Sequence, residues 1–179
     1  HEDEIAQSEG AAVQTPGRPF VKHWLHGAHL LVEGKKMSKS LGNYFTVRDL
    51  LAMGYTGREI RCLLLSAHYR ETFNFTIEGL EGARAKLARI DECLSRGADF
   101  VASGSRTDFS ASVVDKCVEH FRSALADDLN VSQGWASVFE CVHGANTFMA
   151  TNMNFHPEHK RMTVAIRLEA LKQVLDVFG

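Results

Sequence analysis

A chain of 179 residues with 45% hydrophobic and 23% charged side chains can build one ordinary domain or parts of two, and is too apolar for a disordered tail. A formal charge of -2 excludes a globally basic polyanion binder and leaves only a local basic face open. No apolar run approaches the roughly 20 residues that cross a bilayer.

The opening His1-Glu2-Asp3-Glu4 is neither a signal nor a transit peptide, and a start on His1 instead of Met fits a piece of a longer chain. Up to about residue 70 the chain is dense in glycine, histidine and turn signals. His29 to Lys35 reads as a short strand entering a turn at Gly34. Thr46-Val47-Arg48-Asp49 is a capping box, with Asp as its acid, that opens a helix through Leu50, Leu51 and Met53. Gly54 stops that helix. A second helix follows, with Ile60, Leu63, Leu64 and Ala67 on one face.

From Thr76 onward the periodicity is helical: Leu80, Ala83, Leu87, Ile90 and Leu94 recur at steps of three and four. A polar Gly/Ser-rich stretch, 96–110, reads as a joint. A second stripe then runs through Val114, Cys117, Val118, Phe121 and Leu125, and a third through Trp135, Val138, Phe139, Val142 and Phe148. Pro157 interrupts the chain before the last stripe of Leu168, Leu171, Leu175 and Phe178. The pattern predicts a mostly α protein: residues 1–75 as one part, and residues 76–179 as an antiparallel, up-and-down helical bundle. Cys62, Cys93, Cys117 and Cys141 are widely spaced among apolar residues, which predicts buried core thiols in a reducing compartment.

The chemistry-bearing run is Lys36-Met37-Ser38-Lys39-Ser40, followed by Leu41-Gly42-Asn43. Two ammonium groups three residues apart, with two small hydroxyls just after a Gly turn, suit a loop that surrounds a triphosphate. Lysine serves there as a compact charge on a flexible stem. Its effect on rate is greatest where it meets charge that grows only in the transition state.

This run resembles the KMSKS signature of class I aminoacyl-tRNA synthetases. Its surroundings narrow the resemblance to the cysteinyl-tRNA synthetase family: His1 to Glu9, Trp24-Leu25-His26, Lys36 to Asn43, Phe45 to Asp49, Leu64 to Arg70 and Asn74-Phe75-Thr76. Phe121 with Ala124 to Asn130 resembles that family's helical domain more weakly.

The resemblance implies that residues 1–75 are the end of a Rossmann-like catalytic domain and residues 76–179 a tRNA-docking bundle. It implies that cysteine and ATP, with Mg2+, form cysteinyl-adenylate and pyrophosphate, and that the acyl group then passes to the 3′ end of tRNA(Cys). Lys39 and Lys36 take the catalytic positions, while Met37, Ser38 and Ser40 complete the nucleotide loop. The family's HIGH-type partner motif is not in this sequence. Its zinc is held by cysteines, a histidine and a glutamate. Glu4 takes the glutamate position, whereas the aligned histidine falls before His1. Zinc suits the chemistry because it binds thiolate far better than a serine hydroxyl. A cytoplasmic, monomeric protein is expected.

Several other residues invite functional readings that the sequence disfavours. His23, His26 and His29 do not converge as a metal set and read as packing positions, with Trp24 and His26 matching the family. His68-Tyr69-Arg70 reads as a solvated helix end, and Asp127-Asp128 as a helix end and loop with no catalytic role. Two alternative functions fit the same motifs. One is a cysteine ligase of mycothiol biosynthesis, which shares the fold, zinc and adenylation but delivers cysteine to an amino sugar. The other is a non-catalytic tRNA-binding fragment.

Overall fold

The computed structural model describes residues 2–11, 20–103, 116–150 and 157–178. Helix α1 (Glu2–Ala11) comes first and buries none of its side chains. A three-stranded sheet follows, in the order β2-β1-β3, from β1 (Leu30–Val32), β2 (Lys35–Lys36) and β3 (Phe73–Phe75). Strands β1 and β2 form an antiparallel hairpin with Val32 opposite Lys35, which leaves a two-residue turn. Both turn residues have positive φ, 50° at Glu33 and 74° at Gly34, the geometry that follows the right-handed twist of the flanking strands. β3 joins β1 in parallel, pairing Leu30 with Phe73 and Val32 with Phe75.

Between β2 and β3 lie two short capped helices, α2 (Val47–Ala52) and α3 (Gly57–Leu64). The capping box at Thr46 and Asp49 is formed as the sequence predicts. Thr56 and Glu59 make a second one at the start of α3. Helix α3 ends at Leu64, so Ala67 lies outside it, and Leu64 is exposed.

Four longer helices complete the fold: α4 (Ile77–Ala102), α5 (Lys116–Ala126), α6 (Val131–Ala150) and α7 (Pro157–Phe178). Pro157 opens α7 at its first position, where a missing N–H costs nothing. The expected joint starting at Arg96 is instead helical through Ala102. Gly97 there is a packing position: a Cβ on it meets Leu168 of α7 at 2.7 Å. Residues 104–110 of that stretch, and Val114, lie outside the described residues.

Two apolar cores result, and α4 contributes to both. Its first half places Leu80, Ala83 and Leu87 against Val32, Leu50, Ile60, Leu63 and Phe75. Its second half places Ile90 and Cys93 against Phe121, Val138, Leu171 and Phe178. Trp135 of α6 packs on both cores, and its indole N–H donates to the Leu65 carbonyl at 2.9 Å. The same indole stacks on Phe178, with centroids 4.4 Å apart. Polar links reinforce the joint: Arg58 makes a two-point ion pair with Asp91, at 2.7 and 2.9 Å, and Arg61 donates to the Phe178 carbonyl.

All four cysteines are buried thiols, as expected. Burial pushes the thiols of Cys62 and Cys93 above the ordinary cysteine range.

Because one continuous helix serves both cores, their melting is expected to be coupled. Leu80→Ala and Ile90→Ala each remove a fully buried side chain and each cost about 2–5 kcal/mol. Both variants are expected to lower a single shared thermal transition, followed by circular dichroism at 222 nm. Two separate transitions, each sensitive to one variant only, contradict the coupling.

Candidate functional site

The lysine-rich run sits on the β1–β2 hairpin, and the hairpin is fixed from three sides. The Glu33 N–H donates to the Phe75 carbonyl at 3.0 Å, and the Gly34 N–H to Asn74 Oδ1 at 2.7 Å. Glu33 in turn accepts from the Ile77 N–H, at the start of α4, at 3.1 Å. Beyond β2 the chain makes a short 3₁₀ turn, Lys39–Leu41, preceded by Ser38 in extended geometry. Gly42 closes this turn at φ 68°, a left-handed conformation that returns the chain toward the hairpin.

That reversal places Asn43 beneath the loop. Its Oδ1 accepts from the Ser38 N–H at 2.9 Å. Its Nδ2 donates to the Val32 carbonyl at 3.1 Å and to the Lys36 carbonyl at 3.2 Å. One carboxamide thus ties together the strand, the entry to the loop and its turn. Met37 packs against the first core and anchors the loop from inside. The hydroxyls of Ser38 and Ser40 are hydrogen-bonded to each other at 2.7 Å.

Lys36 and Lys39 are both exposed. The Lys39 ammonium lies over the Tyr44 ring, 5.4 Å from its centroid. A cation–π contact of this kind at an exposed site is worth only about 0.5–1 kcal/mol, so the charge is held loosely and can move onto an anion. A fixed backbone carrying mobile ammonium groups is a workable phosphate cradle. The hydrogen bonds of Asn43 and the Tyr44 contact were not legible in the sequence. An Asn just after a glycine signals a turn, but not which carbonyls it meets.

The remaining site candidates fall into place differently. His23, His26 and His29 are exposed and lie in no helix, so a helical spacing does not apply to them. Trp24 and Leu25 are also exposed, at 42% and 68%, which corrects the reading of this segment as packing positions. Trp24 and His26 stack with rings 6.0 Å apart.

The His68-Tyr69-Arg70 segment is not a solvated helix end. It grips Asp128, at the corner between α5 and α6. The Tyr69 hydroxyl donates to Asp128 Oδ1 at 2.6 Å, and Arg70 Nε to Oδ2 at 2.6 Å. His68 Nε2 lies 2.8 Å from the Asp128 carbonyl oxygen, and His68 Nδ1 accepts from the Arg70 N–H at 3.3 Å. Asp128 and Leu129 have φ of 51° and 56°, so the gripped corner is itself an uncommon backbone conformation. The hydrogen bonds from Arg70 and Tyr69 hold the Asp128 carboxyl below its ordinary value. The same carboxylate pushes the Tyr69 phenol up.

For zinc, the described residues alone do not provide a site. Among them, no three His, Cys, Asp or Glu side chains are close enough to hold a metal ion. Glu4 is exposed on α1, and His1 lies outside the described residues. Among the described residues no helix is long and apolar enough to cross a membrane.

Two family models match the chain. Residues 1–85 match tRNA synthetases class I (C) catalytic domain, and residues 120–179 match the DALR domain. The cysteine–tRNA ligase of Chlamydia pneumoniae is 49% identical over 83% of this chain, and that of Chlamydia muridarum 47% over 100%. The chain belongs to the cysteine–tRNA ligase family. The same ligase of Leptospira interrogans is 44% identical over 86% of the chain. The chain spans only 31%, 38% and 33% of the lengths of these three cysteine–tRNA ligases. Among solved structures, the agnB2 LeuRS of Agrobacterium radiobacter K84, in a ternary complex with tRNA and LeuAMS, has a similar fold. The TM-score is 0.64, over 85% of this chain and 20% of that one, at 18% identity.

The grip on Asp128 has a pH signature. A carboxyl depressed in the folded state adds stability above its unfolded value, near 3.9, and loses it as pH falls through the folded value. Asp128→Asn is therefore expected to lower the melting midpoint at pH 7, and its difference from the parent is expected to shrink as pH falls below the ordinary carboxylate range. A midpoint difference that persists unchanged in acid shows that the carboxylate charge is not what the grip depends on.

Proposed function

We propose that this chain serves the ATP-dependent attachment of cysteine to its tRNA, and that the 36–40 loop acts in the first step. Cysteine and ATP give cysteinyl-adenylate and pyrophosphate; the acyl group then moves to the 3′ end of tRNA(Cys). The observation that carries this reading is the loop itself. A KMSKS run stands on a hairpin whose backbone is pinned by Asn43 and Asn74, while Lys36 and Lys39 remain exposed. In the proposal Lys39 and Lys36 neutralise the pyrophosphate as it separates from the α-phosphate. Met37, Ser38 and Ser40 shape the loop, and Mg2+ accompanies the ATP.

Residues 1–75 are assigned to the end of a Rossmann-like catalytic domain and residues 76–179 to an antiparallel tRNA-docking bundle. The match to a DALR domain over residues 120–179 supports the second assignment. The boundary falls just before α4, whose first half packs with the preceding residues. The assigned protein is cytoplasmic and monomeric. The identities of 44–49% to cysteine–tRNA ligases favour this function over transfer to an amino sugar.

Lys39→Ala in the full-length protein is expected to slow cysteinyl-adenylate formation on the order of a hundredfold, while the ATP dissociation constant changes far less. Rapid-quench measurement of adenylate formation checks this. An unchanged rate constant with weakened ATP binding removes Lys39 from the assigned role.

Glu4 is proposed as one carboxylate ligand of a zinc ion whose other ligands come from a longer protein. A single carboxylate has neither the ligand count nor the soft donors of a tight zinc site. Elemental analysis is expected to find no stoichiometric zinc in this 179-residue chain, one zinc in the full-length protein, and less in its Glu4→Ala variant. One zinc bound per molecule of the isolated chain transfers the site to residues within it.

A further inference from the structure

We propose that Asn43 is the positioning residue of the phosphate loop, setting where Lys39 can reach; this rests on the reading of that loop given above. Three hydrogen bonds converge on its half-buried carboxamide and tie the loop to the sheet. Val32 and Lys36 belong to the paired strands β1 and β2, and the Ser38 N–H lies one residue before Lys39.

The partners dictate how the amide is oriented. Two are carbonyl oxygens, which need the NH2 end, and one is an N–H, which needs the oxygen. Flipping the amide breaks all three, so the geometry specifies asparagine in one orientation. An aspartate of the same shape keeps the bond from the Ser38 N–H but sets an anionic oxygen against two carbonyls. An alanine removes all three bonds without repulsion.

Apart from this carboxamide, the fixed points around residues 37–43 are few. Lys36 is held by its pairing with Leu31 and Met37 packs inward, while the Ser38 and Ser40 hydroxyls bond only to each other among the contacts described. The 3₁₀ turn is closed by its own backbone bonds of 3.3 and 3.2 Å, from the Leu41 and Gly42 N–H groups to Ser38 and Lys39, and neither reaches the sheet. Removing the Asn43 links therefore frees the loop backbone relative to the sheet while leaving both lysines in the chain. A lysine displaced by about 1 Å still meets the ground-state phosphates through its flexible stem. It fails to meet the departing pyrophosphate in register, and such misplacement costs up to about a hundredfold in rate.

The test uses the full-length protein with Asn43→Asp, Asn43→Ala, Lys39→Ala and the double variants. Single-turnover adenylate formation, ATP dissociation constants and melting midpoints are measured for each. Both Asn43 variants are expected to slow adenylate formation by roughly tenfold to a hundredfold, with the ATP dissociation constant shifting by less than about threefold. On the Lys39→Ala background, the same changes are expected to cost less than about threefold more, because Asn43 acts through that lysine.

A merely structural role moves the melting midpoint and leaves the rate per folded molecule unchanged; that outcome overturns the inference. So does a double variant in which the two losses multiply in full. The Lys39→Ala arm read alone separates the two hypotheses. If Lys39→Ala does not slow adenylate formation, the reading of the loop fails. If it does and the Asn43 variants do not, only the positioning role fails. Should Asn43→Asp not fold, Asn43→Ala supplies the same comparison without charge repulsion.

Discussion

The parallel pairing of Leu30–Val32 with Phe73–Phe75 is the contact on which the rest of the site depends. It joins segments separated by more than forty residues, and everything between them is arranged by that closure. Parallel strands need a crossover, and here the crossover contains the lysine loop, α2 and α3. Once β3 is in place, the Phe75 carbonyl and Asn74 side chain receive the Glu33-Gly34 turn. Thr76 then starts α4 by accepting from the Gly79 N–H at 2.9 Å. The loop geometry and the direction of the longest helix are set by one short ladder.

Around that ladder the polar groups divide into fixed and mobile ones. Glu59 is the fixed kind: it caps α3 through the Thr56 N–H at 2.7 Å and accepts from Arg84 Nε at 2.7 Å. The Arg84 bond is the larger reason its carboxyl lies below the ordinary glutamate range, with the Thr56 backbone next. Tyr55 donates to Glu81 at 2.8 Å, while Arg84 also reaches the Gly54 carbonyl at 3.1 Å. Lys36 and Lys39 are the mobile kind, exposed on a backbone that does not share their freedom. A phosphate-binding loop benefits from that division, since ordering a whole backbone on binding costs about 1–2 kcal/mol per residue.

Local signals were the part of this structure legible in the sequence. The Thr46 box, the α4 stripe from Leu80 to Ile90 and the stripes of α5, α6 and α7 depend on neighbours three and four residues apart, and the chain displays them directly. The strand from His29 was legible through the apolar Leu30-Leu31-Val32 run before the Gly34 turn, whereas β2 is two residues long and β3 is interrupted by Asn74. The extent of α4 is not legible because Gly97 and Ser103 look like joint composition. Gly97 is small because Leu168 crosses there, a cause that lies in another helix. The lysine run stood out through its residue types, yet its fastening by Asn43 depends on a turn and a strand meeting. Likewise the sequence shows His68-Tyr69-Arg70 as one polar cluster and Asp127-Asp128 as another, and only the folded chain brings the first onto Asp128 across about sixty residues.

That last grouping bears on how the parts of such a protein can be exchanged. The α5–α6 corner meets the segment leading into β3 through a carboxylate shared by a phenol and a guanidinium, with a histidine on the adjoining carbonyl. These side chains form a matched set distributed over two separately matched family regions, residues 1–85 and 120–179. A helical region transplanted from a distant relative brings its own corner residue but not the three that hold it. Recombination across this boundary therefore has a compatibility condition written in four positions, and chimeras that respect it start with the joint already closed.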